Sequence, residues 1–262
     1  MPGRGKALWG AAILVLACAL GLAWFWSASD DNYIYLLAGQ SNMVGQGDIK
    51  DLPPGFPRYQ ERLKVWRDGS LRPLVSPLHA PQDNLDLPVG VGPGESFAEE
   101  MARLTGKNII VVPCAKSATH ISQWLPGTPF YQSLVARALQ AQTRGTLKGL
   151  LWFQGEKDSE KPALAARWSA DFATLLAGLR HDLGRPDLPV VLAQLARAEG
   201  KWTASCPAWE EIKRQQARIH GRHLAMVRSD DLALIDGIHL TTPAQLTLGR
   251  RFANAMCLLQ AR

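Results

Sequence analysis

The sequence is poor in cysteine and has no dense block of basic residues. It contains 4 cysteines in 262 residues, too few and too scattered for a disulfide framework or a paired-cysteine zinc site. Its 29 Lys and Arg outnumber 23 Asp and Glu, but the basic residues are dispersed. Dispersed charge is typical of a solvated surface, so no nucleic-acid partner is expected. With 47% hydrophobic and 20% charged residues, the composition is that of a packed globular protein.

One long uncharged run, residues 7–26, stands near the N-terminus behind Arg4 and Lys6. Its length suits a membrane-spanning helix, and the basic residues before it favour export of everything that follows. We therefore expect residues 1–29 to form a membrane anchor, with residues 30–262 as one exported domain. A cleaved signal peptide has the same pattern, and Cys18 lies in a weak lipoprotein-like box, so both alternatives remain open.

Short apolar segments alternate with amphipathic ones throughout the rest of the chain. This alternation is typical of βαβ units and predicts an α/β domain with a parallel sheet. The predicted strands are residues 33–38, 108–112, 149–153, 188–193 and 226–228. The predicted helices are residues 95–104, 130–142, 161–183, 208–220 and 242–259. The Pro- and Gly-rich stretches 51–57, 73–94 and 199–207 are predicted to be loops of the same domain.

Chemically capable side chains follow the predicted strands, where ligands of parallel sheets bind. Ser41 comes directly after the first strand on a glycine-flanked turn, from which its hydroxyl can enter the crevice. Asp236 and His239, three residues apart, precede the last helix. In that spacing the carboxylate can orient the imidazole as a base for a serine nucleophile.

Two polar residues follow the third predicted strand. The amide of Gln154 can donate a hydrogen bond to an oxyanion, and Glu156 is interpreted as a carboxylate that supports the site. No His, Cys or Asp cluster with metal-ligand spacing accompanies them, so we expect neither a metal nor a cofactor. The stretches 90–94 and 94–98 resemble a dinucleotide fingerprint and a nucleophile elbow, but neither follows a strand.

Three motifs, in this order along the chain, carry a family resemblance: residues 39–43 (GQSNM), 152–158 (WFQGEKD) and 236–240 (DGIHL). Together they resemble the SGNH hydrolase superfamily, and more narrowly carbohydrate esterase family 6 and the sialate O-acetylesterase-like domain. The likeness covers residues 32–259. It implies a flavodoxin-like three-layer α/β/α fold with a five-stranded parallel sheet in the order 2-1-3-4-5, and removal of acetyl groups from carbohydrates without a metal.

Site roles follow from the resemblance, position by position. Ser41 matches the nucleophile, His239 the base and Asp236 its partner. The expected oxyanion donors are the backbone N–H groups of Ser41 and Ser117 and the amide of Gln154. The remaining residues expected to bind substrate or support the site are Gln40, Asn42 and Glu156.

One departure concerns the stretch after the second strand, where the family commonly has Gly-Gly-Thr and this chain has Ser117, Ala118 and Thr119. Two added Cβ atoms narrow the expected acyl site. Two other functions remain open: a carbohydrate-binding envelope protein without turnover, and a lysophospholipase- or thioesterase-like lipid esterase.

Overall fold

The computed structural model describes residues 31–261, so the predicted anchor or signal segment and Cys18 lie outside the described residues. Seven strands form one sheet in the order β3-β2-β4-β1-β5-β6-β7. The strands are β1 (Asn32–Gly39), β2 (Leu63–Arg67), β3 (Ser70–Pro73), β4 (Asn108–Pro113), β5 (Thr146–Phe153), β6 (Val190–Ala193) and β7 (Leu224–Val227). All neighbouring pairs are parallel except β2 and β3.

The α/β class is confirmed. The five predicted strands are, in chain order, β1, β4, β5, β6 and β7. They lie side by side in the sheet as β4-β1-β5-β6-β7, which is the predicted order 2-1-3-4-5. The predicted number of strands is wrong. β2 and β3 form a hairpin that extends the sheet beyond β4, with Val65 of β2 paired to Val111. β3 is largely exposed at the sheet edge, so it lacks the apolar run that marks the central strands.

Eight α-helices are described between residues 31 and 261. They are α1 (Ser41–Val44), α2 (Gly94–Thr105), α3 (Pro129–Ala141), α4 (Pro162–Ala165), α5 (Trp168–Asp182), α6 (Lys201–Ser205), α7 (Trp209–Ala217) and α8 (Thr242–Gln260). The helix predicted over 161–183 is two helices, and the stretch 199–207 holds the short α6 rather than only a loop. None of these helices is long and apolar enough to cross a bilayer.

Helices cover both faces of the sheet. Tyr35 of β1 contacts Phe97 of α2, with ring centroids 4.9 Å apart. Trp152 of β5 contacts Phe172 of α5 at 5.9 Å. Trp152 pairs with Ala38, three residues beyond Tyr35 on β1, so the two aromatic side chains project from opposite faces. The central strands are consequently buried on both sides.

The three cysteines in the described part of the chain, Cys114, Cys206 and Cys257, are free thiols.

Candidate active site

The turn after β1 places Ser41 at the carboxyl edge of the sheet. Gly39 has a φ of +134°, and a Cβ there would lie 2.1 Å from the Phe153 carbonyl oxygen of the neighbouring strand. The Gln40 N–H donates to that same oxygen at 2.8 Å. Only glycine fits such a close approach, and the chain then turns directly into α1 with Ser41 as its first residue.

Ser41, His239 and Asp236 form a continuous hydrogen-bonded chain. Ser41 Oγ lies 2.9 Å from His239 Nε2, and His239 Nδ1 lies 2.8 Å from Asp236 Oδ2. The other carboxylate oxygen, Asp236 Oδ1, accepts the backbone N–H of His239 at 2.9 Å and that of Ile238 at 3.2 Å. These contacts fix both the carboxylate and the ring, so a proton on Nδ1 leaves Nε2 free to accept the proton of Ser41.

The charge state of Asp236 suits this arrangement. Partial burial raises the pKa of the Asp236 carboxyl, but the hydrogen bonds from the His239 ring and backbone outweigh it, and the net shift is downward. The carboxyl is therefore ionised at neutral pH and can stabilise an imidazolium on His239.

Asn42 is not in the pocket, contrary to the expected substrate-binding role. Its amide nitrogen donates to Glu156 Oε1 at 3.0 Å and to the Ile238 carbonyl at 3.1 Å. Its amide oxygen accepts the Leu240 N–H at 3.0 Å. Only 1% of Asn42 is exposed, so its side chain has no hydrogen left for a substrate and instead holds the segment that carries His239.

Glu156, which the sequence analysis interprets as a carboxylate that supports the site, contacts Asn42 beside the pocket. It is buried, accepts from Asn42 through Oε1, and lines the pocket floor. Its second carboxylate oxygen has no partner within residues 31–261. Burial raises the pKa of the Glu156 carboxyl.

Gln154 does not reach the pocket, so the structure gives no support to its expected role as an oxyanion donor. Its amide nitrogen donates to the Thr119 carbonyl at 2.8 Å and also to Asp158 Oδ2, which occupies both hydrogens. Its amide oxygen accepts the Trp168 indole N–H at 2.9 Å. The residue is completely buried and connects the loop after β4 to α5.

The loop after β4 presents Ala118, rather than Ser117, as a free backbone donor. The Ser117 N–H donates to the Asp83 carbonyl at 2.8 Å, and its Oγ donates to Asn84 Oδ1 at 2.6 Å. Ala118 has a φ of +55°, lines the pocket, and its N–H meets no acceptor in the described part of the chain. The Ser117 N–H is thus already bonded within the protein, and the unbonded backbone N–H beside it is that of Ala118, one residue later.

Gln40 does line the pocket. Its amide oxygen accepts the backbone N–H groups of Gly155 and Lys157 at 3.3 Å each, which joins the turns after β1 and β5. Between residues 31 and 261 no acceptor is bonded to its amide nitrogen, which leaves those hydrogens for a bound molecule.

Several pocket residues were not found from the sequence because they come from segments interpreted as plain loops. Asn84, Leu85 and Leu87 belong to the Pro- and Gly-rich stretch 73–94, and Trp202 belongs to α6. The Trp202 indole N–H donates to the Asp236 carbonyl at 3.1 Å, so α6 is hydrogen-bonded to the loop that carries Asp236. The pocket has a volume of about 270 Å³ and also contains the ion pair between Lys157 and Glu160, with Nζ 2.7 Å from Oε2.

Comparisons with known proteins agree on one family. Residues 31–258 match the family described as carbohydrate esterase, sialic acid-specific acetylesterase. A relative from Arabidopsis thaliana, described as a probable carbohydrate esterase, is 31% identical over 241 residues, which is 86% of this chain and 90% of the relative.

Solved structures show the same fold. An X-ray structure of an Arabidopsis thaliana protein has a TM-score of 0.78 at 29% identity, covering 87% of this chain and 98% of that one. The crystal structure of NanS has a TM-score of 0.69 at 18% identity, covering 89% and 99%. A carbohydrate acetylesterase from Xanthomonas citri has a TM-score of 0.57 at 19% identity, covering 86% and 55%.

Proposed function

The chain belongs to the carbohydrate esterase family described as sialic acid-specific acetylesterases, and from that premise we propose that it removes O-acetyl groups from carbohydrates with Ser41 as nucleophile, His239 as base and Asp236 as its partner. The observation that carries this proposal is the hydrogen-bonded chain from Ser41 Oγ through the His239 ring to the Asp236 carboxylate, with contacts of 2.9 and 2.8 Å. The chain is a carboxylic ester hydrolase by family, and this triad is the mechanism that its geometry supports best.

In the first step Ser41 Oγ attacks the carbonyl carbon of the acetyl ester while its proton passes to His239 Nε2. The tetrahedral intermediate collapses by breaking the bond to the sugar oxygen. That oxygen takes the proton from His239 and leaves as a sugar hydroxyl, and the acetyl group remains on Ser41. Water then repeats the sequence with His239 as base, releasing acetate and restoring Ser41.

The negative charge that develops on the carbonyl oxygen needs donors already in place. The backbone N–H groups of Ser41 and Ala118 meet no acceptor within residues 31–261 and border the same pocket. The Gln40 amide nitrogen, also unbonded there, supplies a third group of hydrogens. We assign the oxyanion site to these three residues.

The size of the pocket favours a short acyl group. Its volume is about 270 Å³, and Ser117 and Ala118 are among the residues that line it. Each methylene of the substrate that becomes buried contributes about 0.8 kcal/mol to binding, but steric overlap with the walls of a closed pocket costs about 1–3 kcal/mol. Esters of longer acyl chains are therefore expected to have a lower kcat/KM. The same steric cost argues against the alternative function, a lipid esterase that acts on long acyl chains.

The test measures acetate release from acetylated sugars and a chromogenic acetyl ester, with butyryl and octanoyl esters as a length series. Ser41→Ala and His239→Ala are each expected to lower kcat by roughly 10³–10⁶-fold with an unchanged melting curve, and the double variant by little more. Near-normal turnover by Ser41→Ala contradicts the proposed mechanism. A preference for octanoyl supports the lipid esterase instead, and no turnover of any ester supports the binding protein.

A further inference from the structure

The basic residues that are dispersed along the sequence come together at one edge of the sheet. The chain enters all the parallel strands at this edge, which we call the amino edge. In the connections that lead into these strands, basic residues outnumber acidic ones. The basic residues are Arg62, Arg103, Lys107, Arg144, Arg185, Arg218 and Arg222, and the acidic residues are Asp31, Glu61 and Asp187.

The opposite edge, where the catalytic pocket lies, has the reverse balance of formal charge. Acidic residues outnumber basic ones in the connections that leave the parallel strands, residues 40–51, 114–120, 154–160, 194–200 and 228–241. The protein is therefore electrically polar along its strands, with the positive end at the amino edge.

Helix ends account for only part of the positive charge at the amino edge. Each helix C-terminus is equivalent to roughly half a negative charge and attracts cations. A full positive charge lies in the last turn of α2, or within three residues of the end of α3, α5 or α7; these residues are Arg103, Arg144, Arg185 and Arg218. A positive surplus therefore remains, and Lys148 of β5 and Arg222 before β7 add to it.

The centre of the amino edge is the point where the chain enters β1. Lys107 forms an ion pair with Asp31, and its Nζ lies 5.9 Å from the centre of the Tyr33 ring. Lys148 Nζ lies 4.6 Å from the centre of the same ring. Tyrosine rings and long basic side chains are both enriched where proteins meet lipid headgroups. The composition of this centre therefore matches a membrane interface.

Covalent geometry limits how far the amino edge can lie from the expected membrane anchor. The uncharged run 7–26 lies outside the described residues, and residues 27–31 connect it to β1. An extended chain advances at most about 3.6 Å per residue, so Asp31 lies within about 18 Å of the end of the run. A connection this short keeps the local concentration of headgroups high, so even a weak attraction orients the domain.

The catalytic serine lies much farther from the expected anchor. Ser41 follows β1, whose 8 residues span about 26 Å from the amino edge to the opposite one. A domain that rests on its amino edge therefore holds the catalytic pocket away from the bilayer.

Independently of the reaction proposed for the pocket, we propose that the amino edge binds the anionic headgroups of the membrane that the anchor enters. Lysine and arginine residues close to a bilayer are attracted to anionic lipids, and the acidic opposite edge is repelled by them. The strands then point away from the bilayer, and Ser41 faces substrates outside the membrane rather than lipids within it.

The test reconstitutes the full chain, residues 1–262, in vesicles of phosphatidylcholine alone or with about 30 mol% phosphatidylglycerol. A fluorophore is attached through an unnatural amino acid that replaces either Leu104, exposed at the amino edge, or Leu85, exposed at the mouth of the catalytic pocket. Lipids with a quencher on the headgroup report contact. The ratio of the quenching constant at position 104 to that at position 85 is the orientation ratio.

We expect the orientation ratio to be about threefold or more higher in anionic than in neutral vesicles, and about 1 M salt to abolish this difference. Equal ratios in the two kinds of vesicle overturn the proposal, because the connection to the anchor would then orient the domain alone. Failure of the full chain to float with either kind of vesicle also overturns it. Protection of position 104 by duplex DNA but not by anionic vesicles would assign the amino edge to nucleic acid instead.

A matched pair of triple variants locates the effect. Arg62→Gln, Lys148→Gln and Arg222→Gln together are expected to lower the orientation ratio in anionic vesicles to its neutral-vesicle value. Lys161→Gln, Arg167→Gln and Arg250→Gln together remove the same charge from exposed positions away from the amino edge, and we expect them to keep the wild-type ratio. An equal fall in both triple variants, with unchanged melting curves, would show that net charge acts rather than this edge and contradicts the proposal.

Discussion

Asn42 is hydrogen-bonded to the residues on both sides of His239. Its amide nitrogen donates to the Ile238 carbonyl at 3.1 Å, and its amide oxygen accepts the Leu240 N–H at 3.0 Å. Asn42 also follows Ser41 in the chain, so one side chain fixes the distance between the serine and the imidazole that contacts it. The second amide hydrogen goes to the buried Glu156, which holds the Asn42 side chain in this orientation.

Asn42→Asp is expected to lower kcat by about ten- to a hundredfold while KM changes by less than about threefold. Aspartate has the same shape, but it cannot donate, and its carboxylate faces the Ile238 carbonyl and Glu156. The imidazole then loses its fixed place, whereas the pocket that binds substrate keeps its walls. Steady-state kinetics on an acetyl ester measures the split, and Asn254→Asp on the exposed side of α8 is the control for added charge. A matching rise in KM would argue for a binding role instead.

Asp236→Asn is expected to lower kcat by about 10²–10⁴-fold with little change in stability. Asp236 Oδ1 accepts two backbone N–H groups, so an asparagine keeps its oxygen there and turns its amide hydrogens toward His239 Nδ1. Nδ1 must then accept, and the ring proton moves to Nε2, where it cannot take the proton of Ser41. Turnover and melting curves are compared with those of Asp231→Asn, a carboxylate that pairs with Arg251 elsewhere. Full turnover in Asp236→Asn would remove Asp236 from the proposed triad.

The sequence predicts the central sheet well, because buried parallel strands are marked by short apolar runs that need no knowledge of their neighbours. It also predicts that Ser41, Asp236 and His239 meet, since each follows or precedes an element at the same edge of that sheet. Contacts between segments that are far apart in the chain are not predicted by such local runs. Nothing near β3 in the chain shows that its hairpin pairs with β4.

The direction of a side chain is also beyond the sequence pattern. Gln154 and Asn42 both lie in the motifs that carry the family resemblance, yet their side-chain amides are hydrogen-bonded inside the protein. The partners of Gln154 are Thr119 and Trp168. Those of Asn42 are Ile238 and Leu240. Ala118 was missed for a related reason. Ala118 has a left-handed backbone conformation, and the preceding Ser117 is hydrogen-bonded to Asp83 and Asn84. These contacts join segments that are distant in the chain, so no local sequence pattern shows them.

Ala118→Gly is expected to raise the butyryl-to-acetyl ratio of kcat/KM by about threefold or more, because it removes a methyl group from the pocket wall. Stability is expected to change by less than about 1 kcal/mol, since relief of the left-handed alanine offsets the greater freedom of glycine in the unfolded chain. The comparison variant is Ser117→Gly, which instead loses the 2.6 Å hydrogen bond to Asn84. An unchanged ratio in Ala118→Gly would place its methyl group away from the acyl site.

Glu95, in the first turn of α2, is expected to make the stability depend on pH. Burial raises the pKa of its carboxyl from 4.5 to about 7, although Ser76 Oγ and the Gly92 N–H donate to it. Below pH 4.5 the folded and unfolded chains both hold the proton, and its contribution to stability is fully present. As the pH rises from 4.5 to 7, the unfolded chain loses the proton first, so stability falls across this range and stays lower above it.

Glu95→Gln is expected to remove this dependence, because glutamine stays neutral and fits the same contacts. Its amide oxygen can accept the Gly92 N–H, and its amide nitrogen can donate to Ser76 Oγ. The variant should match the wild type near pH 4.5 and exceed its unfolding free energy at pH 8 by on the order of 3 kcal/mol. Urea unfolding at the two pH values measures the difference, with Glu61→Gln on an exposed turn as the control. A difference that is the same at both pH values would show that folding leaves the pKa of Glu95 unshifted. A variant less stable than the wild type only at pH 8 would show that the native protein holds Glu95 ionised and that its hydrogen bonds outweigh its burial.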